Sequence, residues 1–508
     1  MRTLLIGIDS GTQSTKVLVV DARNGKVLSA ASQAYGLLPN LPPGAKEQHP
    51  HTWRAAAAKA IRQALKGAHA AAGEVQAIGV SGQQHGLVPL DARGEVIRPA
   101  KLWCDTSTAA ECEEITSKLG GPKATIRAVG NAVLPGYTAS KILWLKMHEP
   151  ANYRRLATVL LPHDYLNFWL TGRAVMEYGD ASGTVLLDVH RRKWSAAAIK
   201  AIDPGLAAKL PPLIPSDQPA GSLRQATAEA LGLSAGTLVS AGGGDNMMGA
   251  IGTGNTRPGV ITASFGTSGT IYACAAKPVV DPLGEIGAFC DSTNRWLPLL
   301  CTMNVTVATE MMRDCFGWSH AKFDGAVAKV APGAGGLVLL PYLEGERTPN
   351  VPAGTGVLLG VNPRTFEPGA FARAAMEGVT LGMNYGLRRL AELGVRPKQI
   401  RATGGGARAK VWRQIMADVF NAEVVTLKVG EGAAYGAALQ ALWCWRRQRG
   451  ENVSITDLTD RFVQVNRAET AEPKAKNVAV YRELQGLQDS MSQALREVFV
   501  QHRRLVSR

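Results

Sequence analysis

No stretch of this 508-residue chain approaches the roughly 20 consecutive apolar residues that a membrane-spanning helix requires, so no spanning segment is expected. The apolar opening Leu4 to Ile8 is broken by Asp9 before a secretory signal is complete, and a cytoplasmic protein is predicted. Cysteine gives little to build on. The seven cysteines, Cys104, Cys112, Cys274, Cys290, Cys301, Cys315 and Cys444, are odd in number and include no C-x-x-C pair. That disfavours a disulfide framework and a zinc site, and fits a reducing compartment. The string G-x-x-x-x-G-K-[ST] is missing, which excludes a P-loop. Long basic runs are missing too: 56 Lys and Arg against 41 Asp and Glu give a net charge of +15, but the positive residues are scattered. The tightest clusters, Arg191-Arg192-Lys193, Arg446-Arg447 and Arg503-Arg504, lack interleaved aromatic residues, so no nucleic-acid partner is expected. The excess reads as solubility with a mild attraction for polyphosphate.

What is present suggests two lobes, because a single core stops growing near roughly 250 to 300 residues. Leu4 to Ile8 reads as a strand, a polar glycine-containing turn follows, and Val17 to Val20 forms the return, with a hairpin-like turn at Asn24-Gly25. Trp53, Ala57, Ile61 and Leu65 recur four apart on one face of a helix expected to stop near Gly73, ahead of a strand at Val75 to Val80. Alternating strands and helices give an α/β class with a mixed sheet. Two internal echoes point to a duplicated plan. Ile8-Asp9-Ser10-Gly11-Thr12-Gln13-Ser14-Thr15 is echoed by Ala263-Ser264-Phe265-Gly266-Thr267-Ser268-Gly269-Thr270, and Ala77 to Gly82 by Ile400 to Gly405. Farther along, Trp412, Ile415, Met416 and Val419 mark one helix face. Tyr481, Leu484, Leu487, Met491, Leu495 and Val498 form a terminal packing stripe, with Val465 to Lys476 as the connection to it.

Four clusters can carry chemistry. Asp9 ends a strand and is followed by Gly11, Thr12, Ser14 and Thr15: a carboxylate for Mg²⁺, a close backbone approach and hydroxyl donors, as a polyphosphate requires. Lys16 adds charge, although strand alternation could turn it away. In Gly242-Gly243-Gly244-Asp245-Asn246, glycines leave a carboxylate at an expected strand tip, a candidate general base beside a neutral amide suited to polyols. Gln84 and His85, bracketed by Gly82 and Gly86, suit sugar hydroxyls; Trp103 and Asp105 offer an aromatic wall and another acceptor. Gly404-Gly405-Gly406 opens an expected helix and, with Gly266 and Thr267, suits a nucleotide. Singly, each cluster also reads as an ordinary turn or core position. Their order along the chain is what joins them.

Taken together, these residues resemble the FGGY carbohydrate kinases, and within them the xylulokinase branch. The similarity extends to Gly136-Tyr137-Thr138-Ala139-Ser140-Lys141, Leu160-Leu161-Pro162-His163-Asp164-Tyr165, Asp180-Ala181-Ser182-Gly183-Thr184 and Leu340-Pro341-Tyr342-Leu343-Glu344-Gly345-Glu346-Arg347-Thr348-Pro349. The resemblance implies two actin-like, ribonuclease H-like lobes around a central ATP and sugar cleft. The first lobe, residues 1–250, would bind sugar and the second, 251–465, nucleotide, with a helical tail over 466–508. It further implies that Asp245 deprotonates the 5-hydroxyl of D-xylulose, that Asp9 and Mg²⁺ manage the phosphate charge, and that Gln84, His85, Asp245 and Asn246 meet the sugar. Thr12, Thr267, Gly405 and Gly406 would surround ATP, and a homodimer is the family-level expectation. Many xylulokinases carry Met where this chain has Gln84, which leaves D-ribulose, L-ribulose and pentitols open as acceptors. Actin-like assembly proteins and chaperone ATPases share the fold type but have no use for a polyol-binding edge. A catalytically silent sugar sensor is opposed by the intact Asp9 and Asp245.

Overall fold

The computed structural model describes residues 2–506, so Met1 and the last two residues of the expected tail lie outside the described residues. The first sheet is built from β1 (Leu4–Ser10), β2 (Ser14–Asp21), β3 (Val27–Ala34), β4 (Val75–Gly82), β5 (Pro219–Ser222), β6 (Leu238–Ser240) and β7 (Gly243–Gly244). The second comprises β8 (Val260–Phe265), β9 (Gly269–Ala273), β10 (Gly287–Cys290), β11 (Trp296–Thr302), β12 (Gln399–Thr403), β13 (Glu423–Leu427) and β14 (Val465–Ala471). Their spatial orders are β5-β6-β4-β1-β2-β3, with β7 beside β4, and β10-β11-β9-β8-β12-β13-β14.

The two sheets repeat one plan. The central strand, β1 or β8, runs antiparallel to the next strand of its hairpin and parallel to β4 or β12 on its other side. A second parallel strand, β6 or β13, follows, and an antiparallel strand closes the edge. Both sequence echoes fall on equivalent places, the β1–β2 and β8–β9 turns and the β4 and β12 strands. The mixed α/β class and the duplicated lobes are therefore as expected.

The helices that bear on the site and its packing are α1 (Pro50–Gly67), α2 (Asp245–Gly252), α3 (Lys410–Phe420), α4 (Gly432–Gln448), α5 (Ala475–Ala494) and α6 (Arg496–Val506). The central strand is apolar on both faces because helices cover both. Leu4, Ile6 and Ile8 pack with Trp53, Ala57 and Ile61 of α1 in one core. Leu5, on the opposite face, joins Leu18, Val20 and Ala77 against Ala434, Ala438 and Leu442 of α4. That second face admits no side chain at two points: a Cβ on Gly7 would lie 2.0 Å from the Ala434 carbonyl oxygen, and one on Gly79 2.0 Å from that of Ala437. Although α4 lies in the second half of the sequence, it packs on the first sheet and against α2. Chain order and packing thus part company there.

Four sequence expectations need correction. The first helix ends at Gly67, not near Gly73, and a short 3₁₀ turn at Ala72–Glu74 leads into β4. Val465 to Lys476 is not merely a connection, since β14 occupies its first part as an edge strand on β13. Edge strands leave polar side chains in water, so this one lacks an apolar signature. The terminal stripe is split at Leu495 between α5 and α6; Tyr481 and Met491 are buried, but Leu487 and Val498 are exposed. Asp245 does not sit on a strand tip, because after the two-residue β7 it is the first residue of α2.

Candidate active site

Asp9 lies next to last in β1, in register with Lys16 of β2 and Ser81 of β4. Ser81 Oγ donates to Asp9 Oδ1 at 2.9 Å, which leaves the other oxygen for water or an ion. Lys16 is not turned away. Its Nζ pairs at 2.5 Å with Glu431, the residue preceding α4, and both charges act on Asp9. Burial raises the Asp9 carboxyl to about 6 despite the counteracting Ser81 bond and Lys16 charge.

The turn after Asp9 is tied from behind. Gly11 N donates to the Ser14 carbonyl at 3.0 Å. Tyr35 OH donates to the Gly11 carbonyl at 2.8 Å and lies 3.2 and 3.0 Å from the hydroxyls of Ser10 and Thr15. Thr15 is fully buried and its hydroxyl is used internally, so it is not a phosphate contact; Gly11, Thr12 and Ser14 keep some exposure. Thr12 Oγ1 donates to Gln83 Oε1 at 3.1 Å and accepts the Trp103 indole N–H at 2.9 Å. Trp103 is 38% exposed, so it is not a core residue.

Asp245 and Asn246 begin α2, both partly accessible. Asp245 Oδ1 accepts the Asn246 backbone N–H at 2.8 Å and its side-chain Nδ2 at 3.0 Å, leaving Oδ2 without a protein donor. Burial, reinforced by the neighbouring charge of Asp9, raises the Asp245 carboxyl to about 7, which poises it to take a proton near neutral pH. The second lobe reaches this point through Thr270, whose hydroxyl donates to Asn246 Oδ1 at 3.4 Å.

Two residues expected at the sugar face inward instead. Asp105 is fully buried, with Oδ2 accepting Lys46 N and Lys101 Nζ and Oδ1 accepting Ser107 N and Oγ; nothing remains to receive a substrate hydroxyl. Gln84 is 5% exposed, its Oε1 accepts Asn246 Nδ2 at 2.9 Å, and its Nε2 is buried. His85, at φ +65°, is stacked on Phe289 and edge-on to Tyr137. Its Nδ1 faces Gly183, and burial together with Lys141 and Arg347 holds the ring neutral, well below its usual range.

On the second lobe, Gly404 (φ +84°) sits so tightly that a Cβ would approach the Phe265 carbonyl oxygen to 2.5 Å, whereas Gly405 faces open space. Gly406 opens a 3₁₀ turn, Gly406–Arg408, and α3 starts only at Lys410, later than the sequence suggested. Cavities of about 480 and 360 Å³ flank Gly405 and Arg408, one walled by Thr309, Phe323 and Trp412, the other by Thr426, Val429 and Gly432. Gly266 and Thr267 form the facing turn, their carbonyls taken by Thr306 N and Val305 N. Among the described residues no cluster of three or more His, Cys, Asp or Glu is arranged to hold a metal. A single carboxylate such as Asp9 suits an ion held mainly by phosphates and water.

Ser81, Tyr35, Gln83 and Glu431 went unassigned in the sequence. Ser81 and Gln83 flank a glycine at the end of β4, a visible signal, but Tyr35 and Glu431 are brought in by pairing and packing alone.

Comparison with known proteins matches residues 4–252 to the N-terminal domain of the FGGY family of carbohydrate kinases and residues 262–445 to its C-terminal domain. The chain is 40% identical over 485 residues to a xylulose kinase of Haemophilus influenzae, covering 94% of this chain and 97% of that one. It is 36% identical to one of Bacillus subtilis, covering 94% and 95%. The crystal structure of a xyloylose kinase from Brucella ovis superposes with a TM-score of 0.89 at 31% identity, covering 97% of this chain and all of that one. The chain belongs to the FGGY family of carbohydrate kinases.

Proposed function

We propose that this protein transfers the γ-phosphoryl group of ATP to the 5-hydroxyl of D-xylulose, giving D-xylulose 5-phosphate, with Asp245 as general base. The observation that carries the reading is the Asp245 carboxylate, with one oxygen held by Asn246, the other free of protein donors, and its proton affinity raised to about 7. A base so tuned accepts the hydroxyl proton as the oxygen attacks phosphorus, the geometry on which phosphoryl transfer depends. Neutral His85 and the Asn246 amide orient the sugar, and Trp103 walls it. Gly11, Thr12 and Ser14 meet the phosphates, and Lys16, beside Asp9, offers a cation to them. Gly266, Thr267 and Gly404 to Gly406 cradle the nucleotide. Asp9 would hold Mg²⁺ through its free oxygen and water; bound there, the ion neutralises phosphate charge. Relatives bearing the xylulose kinase name along nearly the whole chain support this substrate over other polyols. A cytoplasmic homodimer is part of the same reading, and its mass in solution is checked by light scattering.

The test is ADP release with Mg²⁺, ATP and a panel of D-xylulose, D-ribulose, L-ribulose, xylitol and glycerol. Clear preference for D-xylulose is expected. Preference for another member moves the substrate but keeps the chemistry, and ADP release independent of every sugar contradicts the kinase reading.

A further inference from the structure

Behind the sugar-facing edge lies a buried polar assembly that catalysis as described above does not use. His163, in the helix Pro162–Thr171, is fully buried; its Nδ1 meets Asp180 Oδ2 at 2.8 Å, and its Nε2 lies 3.0 Å from Asp164 Oδ1. Against burial, which disfavours the cation, Asp164 and Asp180 hold the imidazole protonated well above its usual range. The remaining oxygen of Asp180, Oδ1, and the Nε2 of Gln84 are both buried and neither makes a hydrogen bond, and the Gln84 amide acts on Asp180 to favour its ionised form. Such groups are costly to bury unless they satisfy one another. Assigning Nε2 to Asp180 fixes the amide, so that Oε1 accepts from Asn246 Nδ2, which in turn donates to Asp245 Oδ1. Gly244 makes the approach possible, since a Cβ there would lie 2.6 Å from Gln84 Cγ.

We propose that His163, Asp180 and Gln84 form a buried relay that orients Asn246 and, through it, the base Asp245, making Gln84 a positioning residue and not a sugar ligand. The inference rests on the reading of Asp245 as the base. Gln84 is the point where the relay is open to test, because methionine fills nearly the same volume but cannot span Asp180 and Asn246. The charged and titratable groups facing Asp245 are Asp9 on β1, Asp180, Tyr272 on β9 and Cys301 on β11; those facing Asp180 are His163, Asp164 and Glu177.

The experiment compares wild type with Gln84→Met, measuring D-xylulose binding by tryptophan fluorescence without ATP and turnover with ATP. For Gln84→Met the relay gives a kcat lower by about tenfold and a sugar Kd within roughly threefold of wild type. A Kd weakened about tenfold with kcat retained would make Gln84 a direct ligand, and no change in either quantity would equally overturn the relay. A further readout is Asp180→Asn, which removes a negative charge facing Asp245 and is expected to move the acid limb of kcat/KM to lower pH. The Asp180→Asn/Gln84→Met double variant should be no worse than Asp180→Asn alone, the non-additivity of a shared path. Additive losses with an unmoved limb contradict the relay. Should Asp180→Asn not fold, the Gln84→Met comparison decides alone. If wild type itself shows no sugar-dependent ADP release, it is the kinase reading that fails.

Discussion

At the scale of residues, the proposed chemistry rests on two carboxylates raised by burial, Asp245 to about 7 and Asp9 to about 6. Both must be ionised to act, so protonation on the acid side removes activity and deprotonation restores it. A pH–rate profile under subsaturating sugar is therefore expected to show kcat/KM climbing as pH rises through about 7 and falling more steeply than a single proton allows below about 6. A profile flat from pH 6 to pH 8 would count against the assigned base. Asp9 and Asp245 could be singled out as candidates only by the order of the clusters along the chain, because a glycine-flanked carboxylate alone reads as an ordinary turn. The inward turn of Gln84 was not legible, since it depends on Asn246, far away in the chain. Asp105 misled for the same reason: its partners Lys46 and Lys101 lie on paired segments whose register no local pattern reveals.

Among elements, the phosphate hairpin and the α4 face set the demands. Tyr35 steadies the β1–β2 turn through three oxygens, and Tyr35→Phe is expected to raise the KM for ATP about fivefold with little change in the sugar KM, as loss of a hydrogen bond worth about 1 kcal/mol implies. Gly7→Ala would push a methyl group into the backbone of α4 and is expected to cost about 2 kcal/mol or more, seen as a lowered thermal midpoint. A midpoint unchanged from wild type would mean that the helix shifts freely. Continuous apolar strands, such as Leu4 to Ile8, could be read directly, and so could the α3 stripe, whose Trp412, Ile415, Met416 and Val419 are all buried. The edge strand β14 could not, because pairing at a sheet margin asks only for backbone hydrogen bonds.

For the molecule as a whole, the duplicated plan was visible as two short echoes, and six strands of each sheet repeat it, with β7 and β10 as additions. The crossing of α4 onto the first sheet was hidden, for small residues such as Ala434, Ala437 and Gly436 signal close packing without saying against what. The candidate site draws on both lobes, with Asp9, His85 and Asp245 from the first and Thr270, Phe289 and Gly405 from the second. Sugar and nucleotide together should thus draw the lobes closer, reducing the radius of gyration in solution scattering relative to either ligand alone. The most direct test of the central claim is Asp245→Asn, with sugar binding and ATP-dependent phosphorylation measured on the same preparation. Phosphorylation is expected to fall by about 10³-fold or more while the sugar Kd stays within a few-fold. Turnover close to wild type would contradict the assignment of Asp245 as the base.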